Sequence, residues 1–468
     1  MTGLRAIGAP GRFRGGQLEV SASSQSQTLP GGLSNAYAFA MFNALSFQVV
    51  LSSPMILYAK SLGASATVLG IITGMMPLLV ILQIPAAQYV ERVGYRRFVL
   101  MGWSLRVGFI FGMALVPLTA VFLHANSRLA LLLLLLFGFN LSRGISSAAW
   151  LPWIASLVPE PVRGQYLVRE AAAVNLASCV CFVLSALCLS GSTRSWQFAV
   201  LFGFSATMGA VSLLFLKRIP DVTPPEAPRG SRAPVPWAEM LRFDPFRRLL
   251  RAVTAWSVGY GGLQAFTVAF LRGQVGWDEG TILLISSVAF LGGLSSLGVV
   301  GGRLDRFGSK PTLELSLGVW VLILVGWLLL AGRALPARVG TVMVLHLLMG
   351  LFASLVQMAN TRLAMAVIPA MGRTHFFALY SVLTSLALGL SPIGWGMLID
   401  AVGRQEPRWL GLAWNGYAVF FAAVAGVLVM TLLLVTRLKE PKAARMEALL
   451  RDILIHTPHR VLLRLWPR

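Results

Sequence analysis

Arg143 stands near the middle of an apolar run at about 129–158, roughly 14 residues, or about 21 Å of helix, from either end. A guanidinium in such a place has few uses. It can grip a carboxylate or phosphate through its planar fork, or it can bind backbone carbonyls of a neighbouring helix and serve packing. Asn140, Arg143, Ser147 and Trp150 recur at i, i+3, i+7 and i+10, so they share one helix face, while the other faces are largely Leu, Phe and Ala. Such a stripe reads as part of a cavity lining. Weaker polar sets accompany it: Gln48 with Ser52, then Trp256, Tyr260 and Gln264, then Gln357, Asn360 and Thr361, then Tyr380 with Thr384. Each lies in otherwise apolar sequence, where a polar side chain can equally bond a neighbouring helix. Arg106 lies about a third of the way along its own run and is expected to snorkel or to pair with an acid. His346 is the histidine best placed within an apolar run to titrate near neutral pH, with a hydrogen-bonded packing role as the alternative.

What is missing narrows the chemistry further. None of the 17 acids falls near the centre of an apolar run, and Glu170 and Glu314 come within about one or two turns of run ends. A deep carboxylate is the usual buried proton site and the usual partner of a cationic drug, so both duties are disfavoured. No His-x-x-x-His, Ser-x-x-Lys or paired-acid set lies in the runs, so catalysis, a metal and a cofactor are not expected. Cys179, Cys181 and Cys188 share one run and read as small packing residues.

The elements that must position these groups are long and apolar. The 468 residues are 56% hydrophobic and 12% charged, with a mean hydropathy of +0.75, which places the chain among proteins that cross a membrane many times. Twelve runs are expected to span, near 35–59, 66–90, 97–123, 129–158, 165–190, 195–217, 249–271, 279–302, 311–331, 339–368, 374–400 and 410–436. A proline-rich linker at 218–247 separates them six and six, and Trp237 to Leu250 is expected to hold a short surface helix. The chain then divides into a polar tail at 1–34, six-helix bundles at 35–217 and 248–437, and a basic amphipathic tail at 438–468 suited to a lipid surface. The formal charge is +22. Placing both termini in the cytoplasm puts about 28 of the 39 Lys and Arg on that side, so the positive-inside rule accounts for the excess without nucleic acid. A small-residue stretch, Gly389 to Gly396, is expected to let span eleven bend and pack closely.

Between the apolar runs lie two charged hinges. Ala87 to Arg97 contains Glu91, Arg92, Gly94 and Arg96, and Gly301 to Pro311 contains Asp305, Arg306, Gly308 and Lys310. In each, an acid precedes Arg, then any residue, then Gly, then cations. Groups this charged belong at a water interface, and Gly permits a sharp turn. A second pair of landmarks, Val158-Pro159 with Arg163 and Ile368-Pro369 with Arg373, recurs at nearly the same offset, which argues for a duplicated bundle.

On these residues the chain resembles the major facilitator superfamily, whose signature between spans two and three is Gly-x-Leu-Ala-Asp-Arg-x-Gly-Arg-Lys. Gly301, Asp305, Arg306, Gly308 and Lys310 match it well, whereas the first copy has Ala87 in place of Gly and Glu91 in place of Asp. Leu57 to Ser65 is similar to the family's first outer loop, and the resemblance extends over about residues 35–437. It implies two pseudo-symmetric six-helix bundles around a central cavity, rocking by alternating access. It also implies that Glu91, Arg92, Gly94, Arg96, Gly301, Asp305, Arg306, Gly308 and Lys310 lock the inner face, the alternative being a purely topogenic role. The span-four motif Arg-x-x-Gln-Gly is only partly kept as Arg143-Gly144-Ile145-Ser146-Ser147, and the antiporter signature of span five is missing. The resulting expectation is a monomeric inner-membrane transporter of a small organic solute, anionic or zwitterionic. The alternatives are a transporter-like sensor or assembly partner and a multidrug efflux carrier.

Overall fold

A computed structural model of the chain describes residues 33–158, 160–191, 193–222, 237–300, 308–368, 373–403, 406–438 and 440. Among them, ten helices are long and apolar enough to cross a membrane, and one bent pair makes eleven. Span one is Ser34–Ser61, and span two is the pair Ala66–Val80 and Gln83–Val93, bent by 48°. Spans three to six are Tyr95–Val121, Ala125–Leu157, Tyr166–Cys188 and Ser195–Leu216. Span eight is Glu279–Ser296, and spans nine to twelve are Ser309–Ala331, Val339–Val367, His375–Val402 and Gly416–Thr436. Large apolar side chains such as Met101, Leu151, Leu187 and Leu322 lie on the outside of the bundle, as a lipid solvent allows.

The seventh position departs from the expected continuous helix. It is split into Asp244–Tyr260 and Leu263–Phe270, because Gly261 leaves the helical region and Gly262 adopts a left-handed conformation with φ +82°. The break frees carbonyls at the end of the first segment. Span eleven reaches two carbonyls there: Trp395 Nε1 donates to Val258 O at 2.8 Å, and Ser391 Oγ lies 3.4 Å from Ser257 O, which already accepts from Gly261 N at 2.9 Å. Span eleven itself runs unbroken from Arg373 to Val402, so its small residues serve close packing, and the backbone discontinuity falls in its neighbour. The expected surface helix resolves into Trp237–Arg242 and the start of the Asp244 helix, which continues directly into the span.

The halves meet chiefly along two seams, spans two with eleven and spans five with eight, which a two-fold exchange of the halves would interchange. The hinge landmark of the repeat is visible in three dimensions, whereas Pro159 and Pro369 of the second landmark lie outside the described residues. Gly94 and Gly308 precede spans three and nine with φ of 85° and 92°. Arg96 at the start of span three donates to the carbonyl of Lys217 at the end of span six, and Lys310 Nζ at the start of span nine donates to Thr436 O at the end of span twelve, at 2.8 Å. Gly301, Asp305 and Arg306 lie outside the described residues. We call the side of the bundle carrying Gly94 and Gly308 the hinge end, and the opposite side the far end.

Candidate functional site

Glycine controls how closely the halves approach. On span two, a Cβ at Gly70 would fall on the carbonyl of Pro392, and one at Gly74 on the carbonyl of Gly389. One turn further toward the far end, a Cβ at Gly396 would meet the carbonyl of Ala66. Backbone touches backbone along this line, with no side chain available to yield. At its tip the Asp400 carboxylate accepts from Ala66 N at 3.0 Å, Thr67 N at 2.8 Å and Thr67 Oγ1 at 2.7 Å. An acid from one half thus caps the first turn of a helix in the other, where unpaired N–H groups favour negative charge. The second seam is fastened at the same end: Glu279 of span eight accepts from Thr193 Oγ1 at 2.9 Å and pairs with Arg272 at 2.8 Å.

Toward the hinge end the halves part around a cavity of about 620 Å³. Spans seven, eight, ten and eleven supply most of its wall, and span five adds Ala171 and Asn175. Trp256, Tyr260, Gln357, Asn360, Thr361, Tyr380 and Thr384, drawn from three separate sets along the sequence, all line it together. Trp256 and Tyr260 stack at 5.1 Å with their planes 18° apart, and Trp320 meets Trp256 edge-on at 5.7 Å. A second cavity of about 210 Å³ shares Asn175, Tyr260 and Ser354 with the first and adds Gln264 and His346. No charged residue lines either cavity among the described residues. Gln357 and Thr361 are exposed, so the larger cavity is open on its hinge side.

His346 is buried, with Nδ1 3.0 Å from Val342 O and its ring edge-on to Trp327 at 5.5 Å. A carbonyl partner requires Nδ1 to carry the hydrogen, so that in the neutral ring Nε2 is an acceptor. Asn175 carries a similar message from span five. Its Nδ2 donates to Ala171 O at 2.9 Å, and its Oδ1 faces Gly293 of span eight. Sequence reasoning missed Asn175, which has no polar stripe like the one that marks Asn140.

The remaining candidates sit elsewhere in the first half. Gln48 Nε2 donates to Ser178 Oγ at 2.9 Å and ties span one to span five, while Ser52 Oγ donates to Gln48 Oε1 at 2.9 Å. Ser147 Oγ donates to Gly144 O at 2.8 Å and lies 3.4 Å from Gln83 Oε1. Trp150 packs 4.8 Å from Phe39 and 6.1 Å from Trp103, in an aromatic group between spans one, three and four. Asn140 is buried, its Nδ2 bonded to Leu136 O at 2.9 Å and its Oδ1 without a partner.

Arg143 is half-buried, and its Nη1 has no hydrogen-bond partner. Arg106 corrects an expectation. It neither snorkels nor pairs with an acid among the described residues; it is buried, with its guanidinium 4.5 Å from the Trp103 ring centre and 5.0 Å from that of Phe139. Phe139 is one helical turn from Arg143, so the two cations are near neighbours, and Arg106 Nε is also without a partner. Spans one, three, four and six contain no Asp or Glu at all. Glu91 and Arg92, at the hinge end of span two, are exposed and form no ion pair among the described residues.

Comparisons with known proteins agree with this architecture. A sequence profile described as Major Facilitator Superfamily matches residues 33–334 and 262–466. A relative from Salmonella typhimurium, named as the uncharacterized MFS-type transporter YhhS, is 31% identical over 215 residues, 44% of this chain and 47% of the relative. The matched stretch is thus about half the length of the curated relatives. A crystal structure of a mutant of the nucleoside transporter NupG superimposes with a TM-score of 0.67 at 10% identity, covering 87% of this chain and all of that one. A crystal structure of a D-xylose-proton symporter gives 0.64 at 14% identity, covering 88% and 98%. The last two are likenesses of fold. With the profile covering both halves and the duplicated bundles on either side of the cavity, the chain belongs to the Major Facilitator Superfamily.

Proposed function

We propose that this integral membrane protein carries a small polar organic solute across the inner membrane by alternating access, and that the conformation described here is the one open to the cytoplasm. One observation carries this reading: a cavity of about 620 Å³ lies between the halves, sealed at the far end by backbone contact and open at the hinge end. The hinge end is assigned to the cytoplasm because the excess of Lys and Arg gathers there. Glu91 and Arg92 would engage their gating partners in the opposite, outward-facing state, which agrees with their freedom from ion pairs among the described residues. Purified protein in liposomes tests the proposal. Uptake of a polar solute with saturation supports it, and absence of flux for every solute that binds would overturn it.

The same reading extends to solute class. Two neighbouring guanidinium groups in spans three and four, in a set of helices without acids, call for a negative charge from outside the chain. A carboxylate or phosphate on the solute supplies it, bound through the planar fork of Arg143. The aromatic and amide wall of the second half then holds the rest of the molecule by stacking and hydrogen bonds. Binding assays with matched anionic and neutral solutes test this: preference for the anion supports it, and equal affinity would remove the arginines from recognition.

A further inference from the structure

The two halves share their hinge-end scaffold but not its charge. Arg96 bonded to Lys217 O is the counterpart of Lys310 bonded to Thr436 O. Span one, however, begins Leu33-Ser-Asn-Ala-Tyr-Ala without a cation, whereas its counterpart, span seven, begins Asp244-Pro-Phe-Arg247-Arg248-Leu-Leu-Arg251. The shared scaffold therefore does not require this cluster.

At that corner the start of span seven, the start of span nine and the end of span twelve enclose a cavity of about 640 Å³. Its wall holds Arg247, Arg248, Arg251, Lys310 and Arg437, with Asp244 as the one carboxylate. That carboxylate is already divided between Arg247 at 2.9 Å and Arg248 at 2.6 Å. Arg248 also donates to Arg437 O at 3.3 Å, and Lys310 lies 3.8 Å from Glu314. The side chains of Arg251 and Arg437 make no hydrogen bond or ion pair among the described residues. Five cations around one void repel each other, and a bound anion relieves the repulsion. Glu440 takes the N–H groups of Ser309 and Lys310 at 3.0 and 2.7 Å, so the start of span nine is occupied and an incoming anion must be held by side chains.

Arginine forks match phosphate oxygens, and an apolar rim of Leu434 and Leu438 borders the charges at the end of a membrane helix. A phosphate group joined to acyl chains satisfies both features at once. We propose that this corner is a binding site for a phosphate group, supplied by the headgroup of an anionic phospholipid. The site is separate from the solute cavity.

The test uses the full chain in detergent and reads the thermal unfolding midpoint during titration with phosphatidylglycerol, phosphatidylcholine or inorganic phosphate. Phosphatidylglycerol should raise the midpoint, with an increment that shrinks at high salt, and phosphatidylcholine should not. The double variant Arg251→Gln/Arg437→Gln should need at least about tenfold more phosphatidylglycerol for the same increment. The exposed far-end variant Arg408→Gln should titrate like the parent, and the midpoint in phosphatidylcholine shows whether each variant folds. An increment from inorganic phosphate that the double variant also loses supports the phosphate site and assigns it to a soluble ligand. An increment insensitive to the double substitution, or equal for the two lipids, would overturn the proposal.

Discussion

The two halves carry opposite chemistries in their interiors. The first holds two arginines, Arg106 and Arg143, in spans where no acid answers them, and neither lines a described cavity; the second lines its cavity with Trp256, Tyr260, Gln357 and Asn360 and no charge. Their mechanical parts remain alike: a positive-φ glycine before spans three and nine, and a cation from each of those spans bonded to the last turn of the sixth or twelfth. A duplicated bundle can keep its pivot while each copy's cavity face diverges, because the hinge geometry is set by backbone and the recognition by a few side chains. The seams belong to the shared part and the cavity walls to the divergent part, and substitutions can separate the two.

The largest effect is expected at the seam. Gly74→Ala places a methyl on the carbonyl of Gly389, where only a shift of whole helices makes room. A loss of about 1–3 kcal/mol is expected in thermal or denaturant unfolding. Gly108→Ala, at a glycine with open space around it, should be neutral or slightly stabilising. Next comes Arg143→Ala, which should cost about 2 kcal/mol, or roughly thirtyfold, in affinity for a carboxylate or phosphate solute while the protein stays folded. Arg143→Lys should recover little, because a point charge does not reproduce the fork. Normal transport by Arg143→Ala would put the anion reading aside. On the other wall, Trp256→Leu removes the stacked pair with Tyr260 and should weaken anionic and neutral solutes alike, by about 1 kcal/mol. That indifference to charge would confirm a division of labour between the halves. The smallest loss is expected from Asp400→Asn, which weakens the cap on span two by about 0.5 kcal/mol. It should shift the population modestly toward a state open at the far end, readable as a longer distance between spin labels at Ser61 and Ala401.

Much of this architecture was legible because it depends on composition and spacing. Apolar runs of membrane length gave the spans, and the recurring acid-Arg-x-Gly gave the repeat. The polar positions of spans ten and eleven and, of span seven, Trp256 and Tyr260, each ambiguous alone, fall on one cavity, with Gln264 on the smaller one beside it, since a polar residue facing lipid would go unsatisfied. What escaped was decided by neighbours. Gly261 and Gly262 break span seven where Trp395 of span eleven donates to the carbonyl of Val258, a partner that span seven's own sequence does not reveal. Arg106 is held by Trp103 on its own helix and Phe139 on the next, a cation–π arrangement that hydropathy does not register. Asn175 faces span eight across a seam, and nothing local to span five marks which side of the helix that is.

The central claim is that the halves pivot, closing one end as the other opens. With Cys179, Cys181 and Cys188 replaced by Ala, paired spin labels report it in two variants: Ser61 with Ala401 at the far end, and Ser156 with Met365 at the hinge end. Adding transported solute should change the two distance distributions in opposite senses, the far-end pair lengthening as the hinge-end pair shortens. Distributions that stay fixed, or that lengthen and shorten together, would contradict a pivot.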